Sequence, residues 1–145
     1  MCTAVKLDFS TPDAFRKMLL EARKVAFSDP SSGGLSALSV AKVLETLGVA
    51  DVVKAKAVTQ GNGQEMVGKG EVDFGLYNVS EIPRAPNVIL AGALPAAIQA
   101  YLEYEAAIPA ANAAAQPAKD FLAFITAPAA KPAWSKLGID LAANE

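Results

Sequence analysis

Residues 25–47 contain the pattern that most constrains how this chain can fold. The apolar run Val25–Phe27 is typical of a buried strand, and a segment rich in Ser, Gly and Pro follows it. Apolar residues then recur at the spacing of one helical face, at Val40, Val43, Leu44 and Leu47. The stretch therefore predicts a strand, a loop and a helix, which is the building unit of α/β folds.

The loop between this strand and this helix, residues 28–36, is the first candidate for a binding site. A helix start exposes backbone N–H groups without partners and carries the positive end of the helix dipole. It can therefore hold an anion or a polar ligand. The same pattern also occurs where an α/β unit only changes direction, and the pattern alone favours that plain connection.

Strands and helices alternate along the first hundred residues. Thr11 and Pro12 predict a helix start, because Thr is a good N-cap and Pro suits the first turn. Three further strands are predicted, at residues 55–59, 72–77 and 88–91. This alternation predicts an α/β fold whose mostly parallel sheet has helices on both faces.

The last part of the chain has a different pattern. Apolar and polar residues alternate over residues 100–108, which predicts a long, half-buried strand. Helices are predicted from Pro117 and from Pro128, with Phe121 and Trp134 facing inward. One strand and two helices cannot build a sheet core alone, so they must pack on other elements.

Composition excludes several classes of function. The 145 residues include no histidine and one cysteine, which argues against His-dependent catalysis and His-containing metal sites, so we expect no metal and no other cofactor. A net charge of −2 without a basic stripe argues against a nucleic-acid partner. The longest uncharged apolar stretch, residues 88–102, is interrupted by Pro95 and Gln99, and it is too short to insert into a membrane.

Several segments in a fixed order carry a family resemblance. They include STPDAF, VAFSDPSSGG, AKVLETLG and GEVDFG, with Leu94-Pro95 and residues 80–81 and 121–130 after them. Together they resemble the molybdate-type solute-binding proteins of bacterial ABC importers. The resemblance implies the type 2 periplasmic-binding-protein fold, in which two α/β lobes are joined by crossing strands and hold the ligand between them.

The resemblance also implies a domain organisation. Residues 10–98 resemble the second lobe, and residues 99–145 resemble a crossing strand and C-terminal helices that belong to an incomplete first lobe. The chain is therefore expected to be the C-terminal portion of such a protein, lacking most of the first lobe. The family works in the periplasm, but residues 1–9 do not form a signal peptide, so a cytoplasmic location stays open.

The family's binding mode implies a set of site residues here. In the molybdate-type proteins, backbone N–H groups at helix starts and hydroxyl groups hold the oxyanion. Leu35 occupies the approximate backbone-donor position of the first loop, and Tyr77 and Asn78 straddle the position of a tyrosine contact. The expected ligand-binding residues are Ser31, Ser32, Gly33, Gly34, Leu35, Ser36, Gln60, Gly61, Asn62, Tyr77 and Asn78.

Three functions follow as hypotheses. The first is a non-enzymatic solute-binding protein of the ABC-import type, which binds an oxyanion or another small polar solute and delivers it to a permease. The second is an oligomeric structural module without ligand binding, in which a homodimer covers the apolar surface of residues 100–108 and of the last two helices. The third is an enzyme that uses Glu103 and Glu105, or Ser80 and Glu81, and the absence of histidine counts against it.

Overall fold

The computed structural model describes residues 7–82, 86–110 and 115–140. It divides into a first unit, Met1–Leu102, and a second unit, Glu103–Glu145. The first unit contains a parallel sheet and four helices among its described residues. Its elements are α1 (Pro12–Glu21), β1 (Val25–Phe27), α2 (Leu35–Thr46), α3 (Ala50–Lys54), β2 (Ala57–Val58), α4 (Gly63–Gly68) and β3 (Phe74–Leu76).

The sheet has three parallel strands in the order β2-β1-β3. Val25 pairs with Ala57 on one side and with Phe74 on the other, so β1 is the central strand. All three residues of β1 are buried, as expected for a strand that is covered on both faces. The predicted α/β fold with a parallel sheet is confirmed.

The core of the first unit lies between α1, the sheet and the helices that follow β1. The start of α1 is as predicted, because Thr11 Oγ1 accepts a hydrogen bond from the Ala14 N–H at 3.1 Å and Pro12 opens the helix. The completely or almost completely buried apolar side chains include Phe15, Leu19, Phe27, Leu44 and Val53. Burial of each such side chain contributes about 1.5–3 kcal/mol to the free energy of unfolding, so these residues stabilise the core of the first unit.

An ion pair ties the segment before β1 to the segment before β3. The backbone N–H of Arg23 donates to Asp73 Oδ2 at 2.7 Å, and the Arg23 guanidinium donates to Asp73 Oδ1. The Asp73 side chain is only 5% exposed. Burial acts to raise its pKa, but the hydrogen bonds and charge of Arg23, together with the backbone of Lys24, outweigh burial and lower the pKa below its ordinary value.

Two predicted strands do not form. Residues 88–91 and 100–108 carry no strand pairing, so the expected crossing strand is absent from the described structure. Tyr101 and Tyr104 are 83% and 72% exposed. The alternating pattern assigns alternate residues to opposite faces, but a strand also needs a neighbouring strand that accepts its hydrogen bonds.

The second unit contains two helices among its described residues, α5 (Gln116–Thr126) and α6 (Lys131–Ser135), with a 3-10 turn at Pro128–Ala130 between them. Trp134 Nε1 donates to the Ile125 carbonyl oxygen at 2.7 Å. None of the residues in these helices is buried, and the predicted inward position of Phe121 is wrong because this side chain is 61% exposed. Within the described ranges, no helix has the length and apolar character that crossing a membrane requires.

Candidate functional site

The loop after β1 forms a compact turn. Asp29 Oδ1 accepts a hydrogen bond from the Ser31 N–H at 2.8 Å, and the Ser32 hydroxyl donates to the Asp29 carbonyl oxygen at 2.6 Å. Gly33 ends the turn with a φ of 70°, a conformation that favours glycine. The backbone N–H and the side chain of Ser31 lower the pKa of the Asp29 carboxyl, so this group is ionised at neutral pH.

The start of α2 follows this turn and has free hydrogen-bond donors. Its N-cap is Gly34, which has no side chain to accept a hydrogen bond, and the first turn carries no acidic residue. The first helical hydrogen bond runs from the Leu38 N–H to the Gly34 carbonyl oxygen at 3.1 Å, which leaves the N–H groups of Leu35 and Ser36 without acceptors in the described structure. The Ser36 hydroxyl oxygen is shielded from solvent and also lacks a partner there.

A cavity of about 590 Å³ lies at the carboxyl ends of all three strands. This is where parallel α/β sheets bind their ligands, since the loops after adjacent strands diverge there and leave a crevice. We call it the strand-end cavity. The side chains and backbone that line it belong to Phe27, Ser28, Asp29, Thr59, Gln60, Gly61, Asn62, Gln64, Glu65, Tyr77, Glu81 and Pro86.

The structure distributes the predicted site residues over two places. Gln60, Gly61, Asn62 and Tyr77 line the strand-end cavity. The six residues from Ser31 to Ser36 do not line it, although Asp29 connects the two places because it lines the cavity and binds the Ser31 N–H. Asn78 is also outside the lining, but its Nδ2 donates to Glu81 Oε1 at 3.0 Å.

The position of Tyr77 depends on two glycines. A Cβ at Gly63 would lie 2.5 Å from the Tyr77 hydroxyl oxygen, and a Cβ at Gly75 would lie 2.5 Å from the ring atom Cε2. Any side chain at either position would therefore displace the ring. Burial raises the pKa of the Tyr77 phenol, and the charge of Glu81 adds to this effect, so the phenol is a hydrogen-bond donor at neutral pH.

Sequence reasoning missed most of the other lining residues. Thr59, Gln64 and Glu65 were not predicted as part of a binding site, and Ser28 was included only as part of the loop of residues 28–36, yet all four line the cavity. Ser28 and Thr59 each stand directly after a strand, which is the signal that could have identified them. No lysine or arginine is among the described residues that line the cavity.

The described residues include no group of three or more histidine, cysteine, aspartate or glutamate side chains that is arranged to hold a metal ion. The carboxylates of the strand-end cavity are thus not clustered as ligands of one ion. Their surroundings also differ, since Glu65 is paired with Lys69 at 3.9 Å and Glu81 with Asn78.

The sequence matches the family model of bacterial extracellular solute-binding proteins over residues 3–140. This chain belongs to that family. A curated relative, the aconitate isomerase of a Pseudomonas species, is 27% identical over 137 residues, which make up 94% of this chain and 52% of that protein. The chain thus spans about half the length of the curated relative it matches. No solved structure matches it significantly.

These comparisons confirm the coarser predictions and correct one. Membership of a solute-binding family is confirmed, and the family's extracellular description agrees with a location outside the cytoplasm. The prediction that the chain is not an enzyme is contradicted, because the relative carries the name of an enzyme. Sequence reasoning rejected enzymes on the absence of histidine, but carboxylate and phenol groups also transfer protons.

Proposed function

We propose that this chain binds a small anion, either an organic carboxylate or an oxyanion such as molybdate, at the start of α2 beside the strand-end cavity. The observation that carries the proposal is that the N–H groups of Leu35 and Ser36 have no acceptor among the described residues, in a first turn without a carboxylate. Such donors, together with the helix dipole, attract negative charge.

The cavity supplies the second part of the proposed site. Its carboxylates repel a bare anion, so we assign the charged group of the solute to α2 and its uncharged part to the cavity. Gln60, Asn62 and Tyr77 offer amide and phenol groups for that part. The aconitate in the name of the relative is an organic carboxylate and so belongs to the proposed ligand class. Delivery of the bound solute from the periplasm to an ABC permease is the transport role that goes with this proposal.

Thermal unfolding with molybdate, sulfate, phosphate or aconitate tests the binding. A ligand present at a hundred times its Kd adds about 2.7 kcal/mol of stability, which raises the Tm by a few degrees. Leu35→Pro removes one N–H group at the first helical position, where proline is tolerated. Leu35→Ala is the matched control, because it keeps the N–H group and removes only a side chain that is 58% exposed.

We expect wild type and Leu35→Ala to show the same anion-dependent shift, and Leu35→Pro to lose most of it. An equal shift in wild type, Leu35→Ala and Leu35→Pro would mean that the anion binds at another place in the protein. No shift with any of the four anions would contradict the proposed function.

We propose an isomerase as the second candidate function. Tyr77 and Glu81 favour it, because a phenol and a carboxylate that can exchange protons line one cavity. The name of the relative points to the same class of reaction. Incubation of the chain with one isomer of aconitate, followed by NMR, would detect the other isomer as it appears. A spectrum that stays unchanged at high protein concentration would exclude this candidate.

A further inference from the structure

Three carboxylates line the strand-end cavity, and two of them are engaged elsewhere. The Asp29 carboxylate accepts the Ser31 N–H and thereby closes the turn before α2. Glu65 is 57% exposed and pairs with Lys69 one helical turn away. A carboxylate that is solvated by water, or that already accepts a backbone hydrogen bond, gains little from contact with a solute. Its negative charge is already stabilised by the water or by the backbone N–H group.

Glu81 is different in both respects. It is only partly exposed, and its carboxylate accepts a hydrogen bond from the neutral side-chain amide of Asn78 at 3.0 Å. This bond holds the Glu81 carboxylate at Oε1, and the Glu81 residue lines the cavity. The Tyr77 phenol is close enough for the charge of Glu81 to act on it, and both side chains line the same space.

We propose that Glu81 is the group that takes a proton from a bound unsaturated carboxylate and returns it. This inference rests on the proposed binding of an organic carboxylate and on the second candidate function. Asn78 is then a positioning residue, because it orients the Glu81 carboxylate and does not itself exchange the proton. Tyr77, in its neutral form, is a donor for the negative charge that develops on the solute.

The reaction step needs no other reagent. Glu81 removes a proton from a carbon next to the double bond of the solute, and the electron pair of that C–H bond delocalises over the double bond toward a carboxylate. The protonated Glu81 then gives this proton, or in D2O the deuteron that replaces it by exchange with solvent, to the far end of the three-carbon unit. The double bond moves, the composition of the solute stays the same, and Glu81 returns to its ionised form.

The test is the incorporation of solvent deuterium into aconitate, followed by proton NMR with the full chain in D2O. We expect incorporation with wild type and a loss of at least about 100-fold with Glu81→Gln, the lower end of what a general base contributes. Glu71→Gln is the matched control, since it makes the same substitution at an exposed glutamate that does not line the cavity and should exchange like wild type. The Tm of each variant shows whether it is folded.

The aconitate-induced Tm shift is measured on the same proteins. Glu81→Gln should bind aconitate at least as well as wild type, because it removes one negative charge from the cavity. Binding by wild type without deuterium incorporation would overturn this inference and leave the proposed binding intact. Equal incorporation by wild type and Glu81→Gln would also overturn it. Absence of both binding and incorporation would overturn the proposed function as well.

Discussion

The two units of this protein form helices equally well, but only the first buries them. In the first unit, α1 buries Phe15, Met18 and Leu19, and α2 buries Ala37, Val43 and Leu44. In the second unit, α5 has an apolar face of similar strength, yet none of its residues is buried. The comparison shows that an amphipathic pattern does not by itself bury a helix, because burial requires a surface that the rest of the structure provides, and most of the stability of a helix comes from such packing.

Truncation of one large aromatic side chain in each unit tests this contrast most strongly. Phe27→Ala should lower the free energy of unfolding by about 3–5 kcal/mol, because it leaves a cavity in the sheet core. Phe124→Ala, at a side chain that is 74% exposed, should change it by less than about 0.5 kcal/mol. Urea unfolding measures both. A loss with Phe124→Ala comparable to that of Phe27→Ala would mean that another surface covers α5 in solution.

The same variants bear on the predicted homodimer. If two copies cover the apolar face of α5, Phe124→Ala should convert a dimer to a monomer in sedimentation or light scattering. A monomeric mass for wild type would contradict the prediction of a dimer.

Gly63→Ala tests whether the packing of the first unit extends to the strand-end cavity. The new Cβ would meet the Tyr77 hydroxyl oxygen at 2.5 Å and the Ala26 Cβ at 3.1 Å, so we expect a loss of about 1–3 kcal/mol. Tyr77→Phe removes the nearer of these atoms and should restore part of the stability in the double variant. If the losses of stability caused by Gly63→Ala and by Tyr77→Phe simply add in the double variant, the Tyr77 hydroxyl does not lie against Gly63.

The Asp73 carboxylate tests a long-range contact of the first unit. Asp73→Asn should cost about 2 kcal/mol, as expected for hydrogen bonds to a buried charge. Since the folded pKa is lowered, the wild-type contribution is fully present above the unfolded pKa of about 3.9 and is lost as the pH falls through the folded value. The difference between wild type and Asp73→Asn, measured by urea unfolding from pH 6 to pH 2, should therefore shrink at the acid end.

Among the variants that remove a specific contact, Trp134→Phe should have the smallest effect, because the second unit relies on local contacts. The variant removes the hydrogen bond from Nε1 to the Ile125 carbonyl oxygen, which is worth about 1 kcal/mol. We expect faster amide hydrogen exchange in α5 and α6 and no change in β1. Slower or unchanged exchange in α5 would mean that this bond does not order the second unit.

Prediction from the sequence succeeded where the signal lies within a few neighbouring residues. Thr11 and Pro12 identified the start of α1, and the apolar run Val25–Phe27 identified β1 to the residue. The strands predicted at residues 88–91 and 100–108 do not form. A pattern of apolar residues indicates which side chains a strand would bury, but it does not show whether a neighbouring strand is there to pair with it.

The candidate site was predicted only in part, because a local pattern identifies some of its residues and not others. Gln60 and Tyr77 were placed at the ends of strands, and both line the strand-end cavity. Glu81 was named, together with Ser80, only in the enzyme hypothesis that the absence of histidine counted against, and nothing in the local sequence distinguishes it from the other glutamates. Its partly buried place beside Tyr77 depends on β3 and on the turn after it.

The α/β class, the starts of α1 and β1 and the loop that leads to α2 could be predicted from the sequence, because capping groups, glycines and apolar spacing act over a few residues. The three-dimensional structure was needed to identify which strand ends meet, which carboxylates line the cavity, and which apolar faces are buried. These properties depend on contacts between residues that are far apart in the chain, such as Gly63 with Tyr77 and Arg23 with Asp73, and no short stretch of sequence contains both partners.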